Sequence, residues 1–86
     1  MTKLITWTKE AWSDYLYWQT QDRKTLKRIN KLIVDVQRNP VSGIGKPEVL
    51  RENLSGLYSR RIDDSNRLVY AIENQQLTII SCRYHY

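Results

Sequence analysis

Residues 57–84 read LYSRRIDDSNRLVYAIENQQLTIISCRY, and how this run divides decides the fold. Three strand-like segments, 57–63, 67–73 and 76–84, are rich in β-branched and aromatic residues. Between them stand Asp64-Ser65 and Asn74-Gln75, polar pairs suited to tight turns. Closely spaced strands joined this way predict an antiparallel meander. In the middle segment, alternation places Leu68, Tyr70 and Ile72 on one face and Arg67, Val69 and Ala71 on the other. The first face is the better core face, so Arg67 is expected to point away from the core. Arg60 and Arg61 are neighbours and must point to opposite faces, so one of them belongs to the open side.

Upstream, Leu4-Ile5-Thr6-Trp7 suits a short strand, and Thr8 can cap a helix that follows it. Trp12, Tyr15, Leu16 and Gln19 share one face of that helix, and Trp12 is expected in the core. After a break at Thr20 to Asp22, Leu26, Ile29, Leu32, Ile33 and Val36 recur at helical spacing, and Asn39-Pro40 ends the second helix. Its other side carries Arg23, Lys24, Lys27, Arg28, Lys31 and Arg38, with Asp35 the only acid among them. The stretch from Pro40 to Pro47 is a loop by its glycines and prolines, without the spacing of a phosphate-binding loop. Glu48-Val49-Leu50 is a further short strand, and Asn53-Leu54-Ser55-Gly56 a turn. A helical hairpin covering one face of an antiparallel sheet makes a two-layer α+β fold, and residues 1–86 read as one domain.

Composition narrows the function. There are 14 Lys and Arg against nine acids, a net charge of +5 that favours polyanionic partners. Six of the positive charges fall within the sixteen residues 23–38, more than solubility needs, which points to a nucleic-acid backbone. There is no Phe, but three Trp and six Tyr, rings that suit half-buried positions. Cys82, the only cysteine, reads as a buried, inert thiol. No apolar run approaches the roughly 20 residues of a membrane span and no signal peptide is visible, so a cytoplasmic protein without membrane contact is expected.

The lone histidine, His85, closes the chain in Arg83-Tyr84-His85-Tyr86, directly after a strand. With Glu48 arriving from the loop side and arginine on the open face, the parts for metal-free phosphodiester transfer in RNA are present. A base must take the 2′-hydroxyl proton, an acid must protonate the leaving 5′-oxygen, and fixed positive charge must hold the phosphorane. Strand register bears on this assignment. A plain two-residue turn at Asn74-Gln75 sets Arg67 opposite Cys82 and on the face of Tyr84 and Tyr86, whereas a bulge would bring Arg67 and His85 together.

Gly45-Lys46-Pro47-Glu48, Asn53-Leu54-Ser55-Gly56, Ser59-Arg60-Arg61-Ile62, Arg67-Leu68-Val69-Tyr70 and Cys82-Arg83-Tyr84-His85-Tyr86 resemble the YoeB/Txe toxins of the RelE-like superfamily. The likeness extends over the whole chain, including Trp12-Ser13-Asp14-Tyr15-Leu16-Tyr17-Trp18. Departures from the common pattern fall at Ile44, Arg51 and Leu57-Tyr58. The resemblance implies a microbial-ribonuclease-like fold and a ribosome-dependent mRNA endoribonuclease that needs no metal or cofactor. It implies Glu48 as general base, His85 as general acid and Arg67 at the phosphate, with Lys46, Arg51, Arg61 and Tyr86 binding RNA or supporting the site. Implied partners are mRNA, the ribosome (through helix 23–38) and a YefM-like antitoxin, with operator DNA bound only as the toxin–antitoxin complex. A homodimer is left open. The alternative is a non-catalytic ribosome- or nucleic-acid-binding module acting through the basic helix.

Overall fold

The meander forms, and it sits inside a larger sheet. The computed structural model describes residues 3–51, 54 and 56–84. In chain order the elements are β1 (Leu4–Trp7), α1 (Lys9–Gln21), α2 (Arg23–Arg38), β2 (Glu48–Val49), β3 (Tyr58–Arg61), β4 (Arg67–Glu73) and β5 (Gln76–Ser81). The five strands lie in the order β1-β5-β4-β3-β2. Neighbours from β2 to β5 are antiparallel, while β1 runs parallel to β5 with Leu4 opposite Gln76 and Trp7 opposite Ile79. The sheet is therefore mixed, with its one parallel pair at the β1 edge. Periodicity within a segment carries no information about that pairing.

Asn74 and Gln75 both adopt positive φ, 51° and 62°, the backbone that a two-residue hairpin turn requires. At the other turn the Asp63 carboxylate accepts the backbone N–H groups of Ser65 and Asn66, which stops β3 at Arg61 rather than at 63.

Helix α2 buries Ile29, Leu32, Ile33 and Val36. These pack with Leu68, Tyr70, Leu77 and Ile79 of the sheet, so the hydrophobic core lies between α2 and the face that alternation selected. Asp22 caps α2, its carboxylate accepting from Lys24 and Thr25, and Asn39 closes the other end. Helix α1 is capped by Thr8, as expected, but it presents a different face. Ala11 and Trp18 are buried, whereas Trp12 is 47% and Leu16 44% exposed. The expectation of a core Trp12 is overturned. Ala11 is wholly buried, its carbonyl 3.8 Å from the Cys82 sulfur, so the helix faces the sheet about one position away from the bulkiest stripe. Trp12 instead joins Trp7 and Tyr15 in a surface aromatic group, with ring centroids 4.8 to 5.9 Å apart. Among the described residues, no helix is long and apolar enough to cross a membrane.

Candidate active site

Sheet register determines which charged side chains share the open face. Glu48 lies opposite Ser59, Ser59 opposite Val69, and Val69 opposite Ser81. Residues directly opposite one another project to the same side, so these four form a row across the open face. Two residues further along β3 and β4, Arg61 lies opposite Arg67 on that same face. Glu48, Arg61 and Arg67 thus gather on one surface, with β2 and β4 about 10 Å apart across two strand spacings. Arg61 forms an ion pair with Asp64, an exposed contact of small energy. Arg67 is half-buried, and its buried Nε has no hydrogen-bond acceptor among the described residues. Lys46 stands exposed at the entrance to β2, where the Arg61 N–H donates to the carbonyl of Gly45. Arg51 is exposed beyond β2, after Leu50 has turned into the interior, and the sheet register does not place it in the row.

Its neighbour Arg60 goes the other way. Opposite Leu68 on the core face, it is wholly buried, with its guanidinium paired to Asp35 of α2. That pair holds the Asp35 carboxyl below the usual carboxylate range, assisted by the backbone N–H of Ile44. Sequence patterning showed that the two arginines must part but not which took the open side. Nor did it flag Arg60 as structural. The available signal was Asp35, a lone acid on a basic helix.

The tail's geometry depends on a bulge. Tyr70 lies opposite Ile79, but Val69 lies opposite Ser81, so Ile80 is an extra residue on β5. Counting on from Ser81, Arg83 rather than Cys82 falls opposite Arg67, and Cys82 falls opposite Leu68 on the core side. Cys82 is accordingly buried, and its thiol pKa is pushed up to about 12, first by burial and then by the Asp14 charge. The turn is the plain two-residue one, and the bulge that could bring Arg67 towards the chain end is present as well. His85 and Tyr86 lie outside the described residues.

Helix α1 fastens what precedes them. The Trp18 indole N–H donates to the Cys82 carbonyl at 2.8 Å, and the Asp14 carboxylate accepts the Cys82 N–H at 3.0 Å. Burial raises the Asp14 pKa, more than this hydrogen bond lowers it. The Arg83 guanidinium lies 3.5 Å from the centroid of the Tyr17 ring and 4.5 Å from that of Tyr84. From the sheet side, the Arg67 N–H donates to the Tyr84 carbonyl at 3.0 Å, and Asn66 Oδ1 accepts the Tyr84 N–H at 2.7 Å. Tyr84 itself has φ of 66°, so the strand's alternation ends before the last two residues and β5 stops at Ser81 instead of 84. Beside this anchored segment a cavity of about 300 Å³ opens, floored by Val69, Ile80 and Leu57 and edged by Glu10, Asp14 and Arg83.

A sequence model of the YoeB-like toxin of bacterial type II toxin–antitoxin systems matches residues 7–86. The chain belongs to the YoeB toxin family. Toxin YoeB of Escherichia coli (strain K12) is 56% identical over 84 residues, 98% of this chain and 99% of that toxin. Among solved structures, YoeB in the heterotetrameric YoeB–YefM toxin–antitoxin complex from Staphylococcus aureus superposes with a TM-score of 0.89 at 47% identity, covering 99% of this chain and 100% of that one. A YoeB dimer from the same organism gives 0.91 at 46%, covering all of both chains. RelE-type toxins share the fold at 21% identity, a likeness of fold alone. This YoeB-family toxin thus has the two-layer α+β architecture of its relatives, with the row of Glu48, Arg61 and Arg67 on the face away from the helices.

Proposed function

We propose that this toxin is a ribosome-dependent mRNA endoribonuclease that cleaves by transesterification without a metal or other cofactor. The observation that carries this reading is the convergence of Glu48, Arg61 and Arg67 on the open face, next to a chain end anchored through Tyr84. Glu48 takes the proton from a 2′-hydroxyl, and the freed oxygen attacks the adjacent phosphorus. The bond from phosphorus to the 5′-oxygen breaks as His85 gives that oxygen a proton, leaving a 2′,3′-cyclic phosphate and a 5′-hydroxyl. Arg67, half-buried and with its Nε unpartnered among the described residues, supplies fixed positive charge to the phosphorane, and Arg61 and Lys46 extend that charge along the backbone. Tyr86 and Arg51 complete the RNA contacts. The substrate's own 2′-hydroxyl is the nucleophile, so DNA is not cut.

Helix α2 is the ribosome-facing element. Arg23, Lys24, Lys27, Lys31 and Arg38 are exposed on it, and such a face binds an RNA backbone by releasing counterions. A YefM-like antitoxin neutralises the toxin, and the complex, not the free toxin, binds operator DNA. Leu4, Ile5, Trp12 and Leu16 form exposed apolar surface on β1 and α1, suited to a protein partner, including a second copy in a homodimer. The site of action is the cytoplasm.

Mapping transcript 5′ ends after induction tests the reading, because cuts phased to codons require action inside a translating ribosome. The paired variant Glu48→Gln with His85→Gln is expected to lose cleavage while retaining ribosome binding. Undiminished growth arrest by that variant would instead favour a non-catalytic module acting through α2.

A further inference from the structure

We infer that Arg60 is a positioning residue, which from the core side of the sheet holds in place the loop leading into Lys46 and Glu48. The inference rests on the reading of Glu48 as the general base. A guanidinium has five N–H donors, and in Arg60 all five are used. Nε donates to the Tyr70 hydroxyl at 3.2 Å, and Nη1 to Asp35 and, at 3.1 Å, to the Ile44 carbonyl. Nη2 donates to the Asn39 carbonyl and, at 2.8 Å, to that of Ser42. Three of the five acceptors are main-chain carbonyls of one irregular loop, residues 39–45. The Tyr70 hydroxyl in turn donates to a fourth, Pro40, at 2.6 Å.

The loop cannot hold this shape unaided. It belongs to no helix or strand, its backbone bond to the sheet is the Arg61 N–H to the Gly45 carbonyl, and β2, which follows it, is only two residues long. Two paired residues do little to determine their own register. What presents Glu48 opposite Ser59 is therefore the anchoring on either side. Leu50 N–H to the Leu57 carbonyl secures the far end, and the Arg61 N–H to the Gly45 carbonyl together with the Arg60 fork secures the near end. Packing around the fork is tight enough to demand glycine. A Cβ on Gly43 would lie 2.0 Å from the Asp35 carboxylate and 3.0 Å from Arg60 Nη1. On Gly45 it would lie 2.7 Å from Leu32 and 3.2 Å from both Arg60 Cβ and the Arg61 carbonyl. Both glycines also have positive φ, 125° and 81°. A buried charge serving stability alone could be replaced by an apolar side chain of similar volume. Here the charge spends its donors on the segment that presents the base.

Arg60→Lys tests the inference, since it keeps the charge opposite Asp35 but loses the fork. It is compared with wild type, Glu48→Gln and the double variant in single-turnover cleavage on programmed ribosomes, alongside amide hydrogen exchange of the free toxin. Arg60→Lys is expected to unfold cooperatively, bind ribosomes as wild type does, exchange faster at 41–46 but not in β4, and cleave about a hundredfold more slowly, the effect of a misplaced catalytic group. In the Glu48→Gln background the same change should cost nothing further, because it acts through Glu48. A role in stability alone would slow both backgrounds equally, or neither, and would overturn the inference. So would wild-type cleavage by a folded Arg60→Lys toxin. Should Glu48→Gln itself cleave normally, the assignment of the base falls, and the exchange data alone decide whether Arg60 holds the loop. Tyr70→Phe removes only the hydroxyl between Arg60 and Pro40. It carries the same comparison, with a smaller loss expected, if Arg60→Lys does not fold.

Discussion

Cys82 illustrates how one residue's chemistry follows from its register. The bulge at Ile80 turns Cys82 inward, burial and the nearby Asp14 charge raise its thiol to about 12, and the reactive thiolate is scarce at neutral pH. Iodoacetamide at pH 8 is therefore expected to modify the native toxin far more slowly than the toxin in denaturant, as read by mass spectrometry. Equal rates would mean that the thiol is accessible. Arg67 has the opposite character, half-buried on the open face with its Nε donor unspent among the described residues. Arg67→Lys keeps the charge but loses the planar fork. Single-turnover cleavage should fall by about 10²-fold to 10³-fold with ribosome affinity nearly unchanged, the loss expected when one phosphorane donor is removed. A large affinity loss with a normal cleavage rate would reassign Arg67 to ground-state binding.

Among the elements, α1 does more than cover the sheet. Thr8 at its start accepts from Ala11 and donates to the Ile80 carbonyl at 2.8 Å, joining the helix cap to the bulge. Thr8→Val should cost about 1 kcal/mol in urea unfolding, the usual worth of such a cap. Further along, Trp18→Phe keeps the ring but removes the indole N–H from the Cys82 carbonyl. About 1 kcal/mol of stability should be lost. If the tail must be anchored for catalysis, cleavage should fall more than stability does.

At the scale of the whole molecule, the Asp35–Arg60 pair joins α2, the sheet and the loop before β2. The folded-state pKa of Asp35 lies below its unfolded value of about 3.9. Its contribution to stability is thus fully present above that value and lost as pH falls through the lower, folded one. Asp14 has a raised pKa and acts in the opposite sense, its contribution fully present below the unfolded value and lost as pH rises through the higher, folded one. Comparing thermal midpoints of wild type and Asp35→Asn from pH 2 to 7 isolates the first effect. The gap should be widest above about pH 5 and close towards pH 2, whereas a constant gap would assign it to packing. Charge on α2 acts at longer range. Neutralising Lys24, Lys27 and Lys31 should weaken ribosome association and reduce its salt dependence, leaving the cleavage step of bound toxin unchanged.

Local pattern alone determined much of this protein. The meander, both turns, the capped helices and the buried stripe of α2 are legible because periodicity and turn chemistry act over a few residues. The motifs from Gly45 to the chain end were specific enough to indicate the family. Tertiary contact decided the rest. Whether Arg60 or Arg61 lay buried depended on Asp35, 25 residues away from Arg60, and on loop carbonyls able to satisfy a charge without water. Ala11 rather than Trp12 faces the core, where its carbonyl meets the sulfur of Cys82, 71 residues further on. The parallel pairing of β1 with β5 and the extra residue at Ile80 likewise depend on segments meeting across the chain. A sequence pattern shows that a side chain has a side, but packing against distant segments decides which side that is.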